Sequence, residues 1–154
     1  MKNKILKNKK GFTLIELLVV IGILAVLLAI VLIAINPARQ FAQANNTKRR
    51  NDSLQILNAV WQYAADNNGQ LPTGIPVGTN SEIGSGVGQA DICAAIVPTY
   101  MNALPTAPEL NVDEITNCAT TYETNYDIVQ SSSSSRVTVR AMQPELGETI
   151  EVSR

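Results

Sequence analysis

Residues 9–35 read KKGFTLIELLVVIGILAVLLAIVLIAI, and this stretch decides how the rest of the chain is organised. From Leu17 to Ile35 it runs for nineteen residues without a charged or hydrogen-bonding side chain. Coiled as a helix, that length is about 28 Å, close to the ~30 Å hydrocarbon core of a bilayer, so the segment can span. Lys2, Lys4, Lys7, Lys9 and Lys10 precede it. By the positive-inside rule they put Met1 to Gly11 in the cytoplasm and everything after Ile35 across the membrane. The whole-chain net charge of −1 is therefore misleading. Without Met1 to Gly11, seven Lys/Arg face thirteen Asp/Glu, a net of −6, and the exported part is acidic.

A basic start followed by an apolar run also describes a secretory signal peptide, which is cut after its apolar region at a small-x-small site. Here the run exceeds the usual 7–15 residues, and Asn36-Pro37-Ala38-Arg39-Gln40 is a poor site. The small residue lies before the run, at Gly11. The stretch Lys9-Lys10-Gly11-Phe12-Thr13-Leu14-Ile15-Glu16-Leu17-Leu18 resembles the prepilin cleavage and methylation motif of type IV pilins and type II secretion pseudopilins. That resemblance implies cleavage between Gly11 and Phe12 by a prepilin peptidase, which also methylates the new amine to give N-methylphenylalanine. It further implies an inner-membrane subunit that polymerises into a helical homo-oligomeric filament, driven by an assembly ATPase and a platform membrane protein.

Glu16 is the one ionisable residue between Phe12 and Ile35. An acidic side chain within a span costs about 2.5 to 3.5 kcal/mol on insertion scales and is rarely kept without a partner. The freed amine of Phe12 is a candidate, either four residues away on the same helix or in a neighbouring subunit. The resemblance implies the second arrangement, with Glu16 setting axial register. A carboxylate that merely snorkels to the membrane surface is the alternative.

Helical spacing continues past the span at Ala38, Phe41, Ala42 and Ala44, pauses over the polar Asn45 to Ser53, and resumes at Leu54, Leu57, Val60, Trp61 and Ala64. These later positions are expected to face a core. Gly69 suits the left-handed position after the helix and Pro72 prevents a restart. The expectation is one helix from Phe12 to Asn68, about 85 Å long, although Asn36-Pro37 offers a point of separation. The Gly/Ser/Pro-rich Leu71 to Asp91 reads as loop, and Asp91 to Tyr100 as a short helix with Ala94, Ala95, Ile96 and Val97 inward. Tyr100-Met101-Asn102-Ala103-Leu104-Pro105-Thr106-Ala107-Pro108 is similar to a segment between helix and sheet in pseudopilin and related heads. Tyr122, Tyr126, Ile128 and Val129 read as strand, Arg136 to Arg140 alternates, and Ile150 to Val152 adds an edge strand. Ser131 to Ser135 forms a hairpin loop or a glycan-bearing tip. The fold class is α+β: leader 1–11, membrane and assembly helix 12–35, amphipathic helix 36–69, and a loop plus antiparallel sheet head over 70–154.

Cys93 and Cys118 lie in the exported part, where a disulfide is permitted; two buried thiols are the alternative. The absence of histidine from the sequence excludes Ser-His-Asp and Cys-His catalysis and the common zinc sites, and no enzyme activity is expected. Glu109, Asp113 and Glu114 offer oxygens for a structural calcium ion, as in some pseudopilin heads, without a loop of fixed ligand spacing. Lys48-Arg49-Arg50 is a basic patch for DNA phosphates or an acidic neighbour in a filament. Asn45 and Asn51 begin Asn-x-Thr/Ser triplets within a helix. The functions in view are a pilus subunit, a major pseudopilin of type II secretion, or a signal-anchored extracytoplasmic binding protein that does not polymerise.

Overall fold

The structure, a computed structural model, describes residues 11–154. The leader expected at 1–11 therefore lies, apart from Gly11, outside the described residues. Contacts divide the chain into a first unit ending at Gln40 and a second, Phe41–Arg154.

Helix α1 is Leu14–Ile35, and every one of its residues is exposed. It does not run on into the next helix. Pro37 disfavours helical geometry in the residue before it, and Asn is among the few side chains that tolerate a left-handed backbone. Asn36 accordingly takes φ 47°, ψ 80° and closes α1. Helix α2, Pro37–Asp66, starts at once, with proline in its first position, where a missing N–H costs nothing. The Asn36 side-chain oxygen accepts from the Arg39 amide at 3.3 Å. The single helix expected from Phe12 to Asn68 is thus two helices separated by one residue.

At the other end of α2, the Gly69 amide donates to the Ala64 carbonyl at 2.7 Å and the Asn67 amide to that of Tyr63 at 3.0 Å. The first left-handed residue beyond the helix is Asn68, φ 55°, one position earlier than expected, with Gly69 at φ 83° after it. This is the 6→1 closure of a Schellman turn.

The second unit is a head built on one antiparallel sheet, β1 (Ser81–Gly84), β2 (Glu123–Gln130), β3 (Val137–Ala141) and β4 (Glu151–Ser153), in the order β1-β2-β3-β4. Strand β1 lies inside the stretch expected to be loop. Its Ser-Glu-Ile-Gly carries one apolar residue, too little for an alternation to show, and it exists because it pairs with β2 at Ser81–Ile128 and Glu82–Asp127. The β2–β3 hairpin closes through the serine run, with Gln130 opposite Val137. In β3, Val137, Val139 and Ala141 are buried while Thr138 and Arg140 are half-exposed, as the alternation predicts. Strand β4 pairs at the β3 edge.

The sheet's inner face meets α2 and short α3, Cys93–Ile96. Ile56, Leu57, Ala59, Val60 and Ala64 of α2 pack with Ile83, Tyr126, Ile128 and Val139 in one core. Two expectations fail here. Leu54 is exposed and Trp61 only half-buried, whereas Ser53 and Ile56 are inward. Of the four residues expected inward around α3, Ala94 is exposed and Ala95 half-buried, with Cys93, Ile96 and Val97 filling the core. Four residues make barely one turn, so only one side of it can face inward.

Candidate processing and assembly site

The N-terminus of α1 is set by its first four residues. Thr13 is extended (φ −84°, ψ 152°) and caps the helix, its hydroxyl accepting from the Glu16 amide at 3.3 Å. Glu16 reaches back, and its Oε2 accepts from the Thr13 amide at 2.8 Å and the Thr13 hydroxyl at 2.7 Å. This reciprocal capping box satisfies two amides that a helix start leaves without intrahelical partners, and it places a carboxylate at the positive end of the helix dipole. Phe12 precedes the helix and is 87% exposed. Its backbone nitrogen is an amide of the uncut chain, and the amine that would pair with Glu16 arises only on cleavage. Among the described residues Oε1 of Glu16 accepts no hydrogen bond. Gly11 is exposed, and among the described residues nothing lies within 4 Å of the position a Cβ would take. The apolar side chains of the helix that follows, Leu14 to Ile35, are all exposed. Two shallow apolar depressions on that surface are lined by Leu18, Gly22 and Val26, and by Phe12, Glu16 and Val20.

The family model for the prokaryotic N-terminal methylation motif matches residues 6–32. The chain carries that methylation motif. Its match is confined to the N-terminal segment and covers Gly11, Phe12, Glu16 and most of α1. Comparison with curated proteins and with solved structures gives no match. The methylation motif implies processing by a peptidase, and α1, 22 residues of high mean hydropathy, supports a single membrane-anchoring segment. Motif and helix together support a protein of prepilin or pseudopilin type, and the α+β head is consistent with a pilin-like fold.

The head holds a second arrangement, which the sequence disguised. Lys48, Arg49 and Arg50, read as a basic patch, are each engaged within the head. Lys48 Nζ is 2.8 Å from Asp52 Oδ2 and donates to the Thr106 carbonyl at 2.7 Å. Arg49 is buried, with its guanidinium 2.8 Å from Glu109 Oε2, 3.2 Å from Glu145 Oε1 and 3.1 Å from Asn46 Oδ1. Arg50 pairs with Glu148. Arg49 is thus withdrawn from the surface, while the side chains of Lys48 and Arg50 stay about half exposed in their ion pairs. The apparent pause in helical spacing is a buried polar face: Asn46, Arg49, Asp52 and Ser53 recur every three or four residues and point inward. Polar residues at apolar spacing were the available signal.

Around this face, Tyr126 donates to Asp52 Oδ2 at 2.7 Å. Burial first, and then the Asp52 carboxylate, push the Tyr126 phenol well above its ordinary range. Tyr122 donates to Asp91 at 2.6 Å, and burial followed by that hydrogen bond raises its phenol likewise. Glu145 is lowered, first by the Asn45 amide and also by Arg49.

Cys93 and Cys118 form a disulfide with Cα atoms 5.5 Å apart, tying α3 to the loop before β2. The residues considered for calcium are not gathered into one cluster. Glu109 is paired with Arg49, and among the described residues no group of three His, Cys, Asp or Glu gathers as a metal site. Asp113 and Glu114 instead line an open cleft of about 540 Å³ with Leu110, Ile115, Tyr122 and Glu123.

Proposed function

We propose that this chain is the precursor of a structural subunit of a type IV pilus-like filament. The peptidase cuts between Gly11 and Phe12, α1 holds the subunit in the inner membrane with its head outside the cytoplasm, and subunits then assemble through α1. One observation carries the reading: the methylation motif adjoins a helix with no buried residue. So much exposed apolar surface needs either lipid or neighbouring copies. Exchange between lipid and an equally apolar filament centre is nearly neutral, which suits an assembly ATPase and platform protein moving subunits in and out of the membrane. Contacts of this kind are heterologous and do not close, so they generate a filament.

After cleavage the Phe12 amine becomes a cation, and the exposed carboxylate of Glu16 near the start of α1 is the charge it would pair with in a neighbouring subunit. This would set the axial register. No step requires the chain to act as an enzyme.

The test is the mass of the N-terminal peptide from membranes and from sheared surface material. A chain starting at N-methylated Phe12 in both fractions supports a surface pilus. The same terminus in membranes alone supports a major pseudopilin of type II secretion. An intact leader in processing-competent cells overturns the proposal in favour of a non-polymerising anchored binding protein. Glu16→Ala should insert normally but fail to polymerise, and normal filaments from it would refute the register role.

A further inference from the structure

We infer that Phe41 and Leu146 form an apolar foot by which the head beds on the lipid surface at the outer end of the span. The inference rests on α1 being the membrane anchor and not on polymerisation. Both side chains belong to the head, and both are open, Phe41 71% and Leu146 50% exposed. Hydrogen bonds bring them to one place. Glu145 receives the Asn45 side-chain amide at 2.8 Å, and its backbone exchanges two bonds of 2.9 Å with the Asn46 side chain. Leu146 follows directly in that turn, and Phe41 sits one helical turn before Asn45 on the same side of α2.

Leu146 is also held at a conformational cost. The Glu148 amide closes on the Glu145 carbonyl at 3.2 Å, and both central residues of the turn, Leu146 and Gly147, have positive φ, 60° and 69°. Turns of this kind favour Asn, Asp or Gly at the first central position. A leucine there, displayed rather than buried, suggests a use for its side chain in contact outside the head.

The occupant follows from the chain. Phe41 is six positions beyond Ile35; two chain steps across the break at Asn36 and four at helical rise keep it within about 13 Å of the end of the span, and the headgroup layer extends roughly 5–8 Å beyond the hydrocarbon core. If α1 spans, Phe41 is tethered at the headgroup boundary. Arg39, exposed and the first cation after the span, is then at the level of lipid phosphates.

The test uses the full chain in phosphatidylcholine vesicles, with single cysteines at Phe41→Cys, Leu146→Cys, Val87→Cys and Ile23→Cys. Each carries an environment-sensitive dye, read with and without doxyl-labelled lipid. Val87, fully exposed on another turn of the head, is the apolar control. Blue-shifted emission lost to doxyl lipid at 41 and 146, with water-like, unquenched emission at 87, is expected. Water-like emission at 41 and 146 with quenching at 23 overturns the foot and leaves the anchor intact. No quenching at 23 overturns the anchor itself and the foot with it. Equal quenching at 87 overturns a defined patch, and shielding of 41 and 146 only in polymerised material assigns the surface to a second copy instead.

Discussion

Replacing Arg49 with alanine tests the buried polar face most directly. The guanidinium side chain is 2% exposed and bridges Glu109, 21% exposed, and Glu145, 36% exposed. Removing one partner of a fully buried pair costs about 3–5 kcal/mol, because a charge is left without compensation. Here the two abandoned carboxylates can regain water, while the buried stem of Arg49 leaves a void. The expected loss is therefore nearer about 2–3 kcal/mol. For a head of this size each kcal/mol shifts the midpoint by roughly 4 °C, so Tm should fall by about 8–12 °C. Thermal unfolding of the full chain in detergent, followed by near-UV circular dichroism at the half-buried Trp61, reads this. Arg50→Ala is the comparison. Its pair is 54% and 37% exposed, and such surface pairs contribute at most about 1 kcal/mol. Equal shifts for the two variants would refute the assignment of Arg49 as a buried, charge-paired residue and restore the picture of an open basic patch.

The disulfide closes a loop with a sequence separation of 25. Cys93→Ala with Cys118→Ala should lower stability to urea by about 3–4 kcal/mol, and an unchanged midpoint would mean that the reduced chain keeps the loop in place. The Glu145 carboxyl is held below its ordinary value of 4.5 in the folded head, so its stabilising share is present above 4.5 and is lost as pH falls further. The urea midpoint should drop in that acid range, and Glu145→Gln should make the drop smaller; parallel curves would count against the Asn45–Glu145–Arg49 contacts. The phenols of Tyr122 and Tyr126 are raised above their ordinary value of 10.0. Their contribution is complete below pH 10 and is lost as pH rises beyond it. Phenolate absorbance for two of the four tyrosines should appear only together with loss of the near-UV signal, and ionisation of all four in a folded head would refute their burial.

Residues 9–35 by themselves determined the anchor, the processing motif and the place of the lone carboxylate, because membrane insertion and a helix start depend on local order in the chain. A nineteen-residue apolar run has few alternatives once water is excluded. Alternation in Val137 to Ala141 and the serine run before it were legible for the same reason. The neighbours of Arg49 were not. Glu109 and Glu145 are 60 and 96 residues away in sequence. Only the folding of the head against α2 buries Arg49 between two carboxylates and gives Arg50 its partner Glu148, whereas Lys48 and Asp52 meet locally, four residues apart on α2. Strand β1 likewise owes its existence to β2, since Ser81 to Gly84 lacks any preference of its own strong enough to announce it. The break at Asn36 was half legible: proline marked the place, but whether the backbone bends or crosses into the left-handed region is decided by the asparagine's conformation in the folded chain. Local pattern settles what each segment must bury, and long-range pairing settles which charges and strands meet.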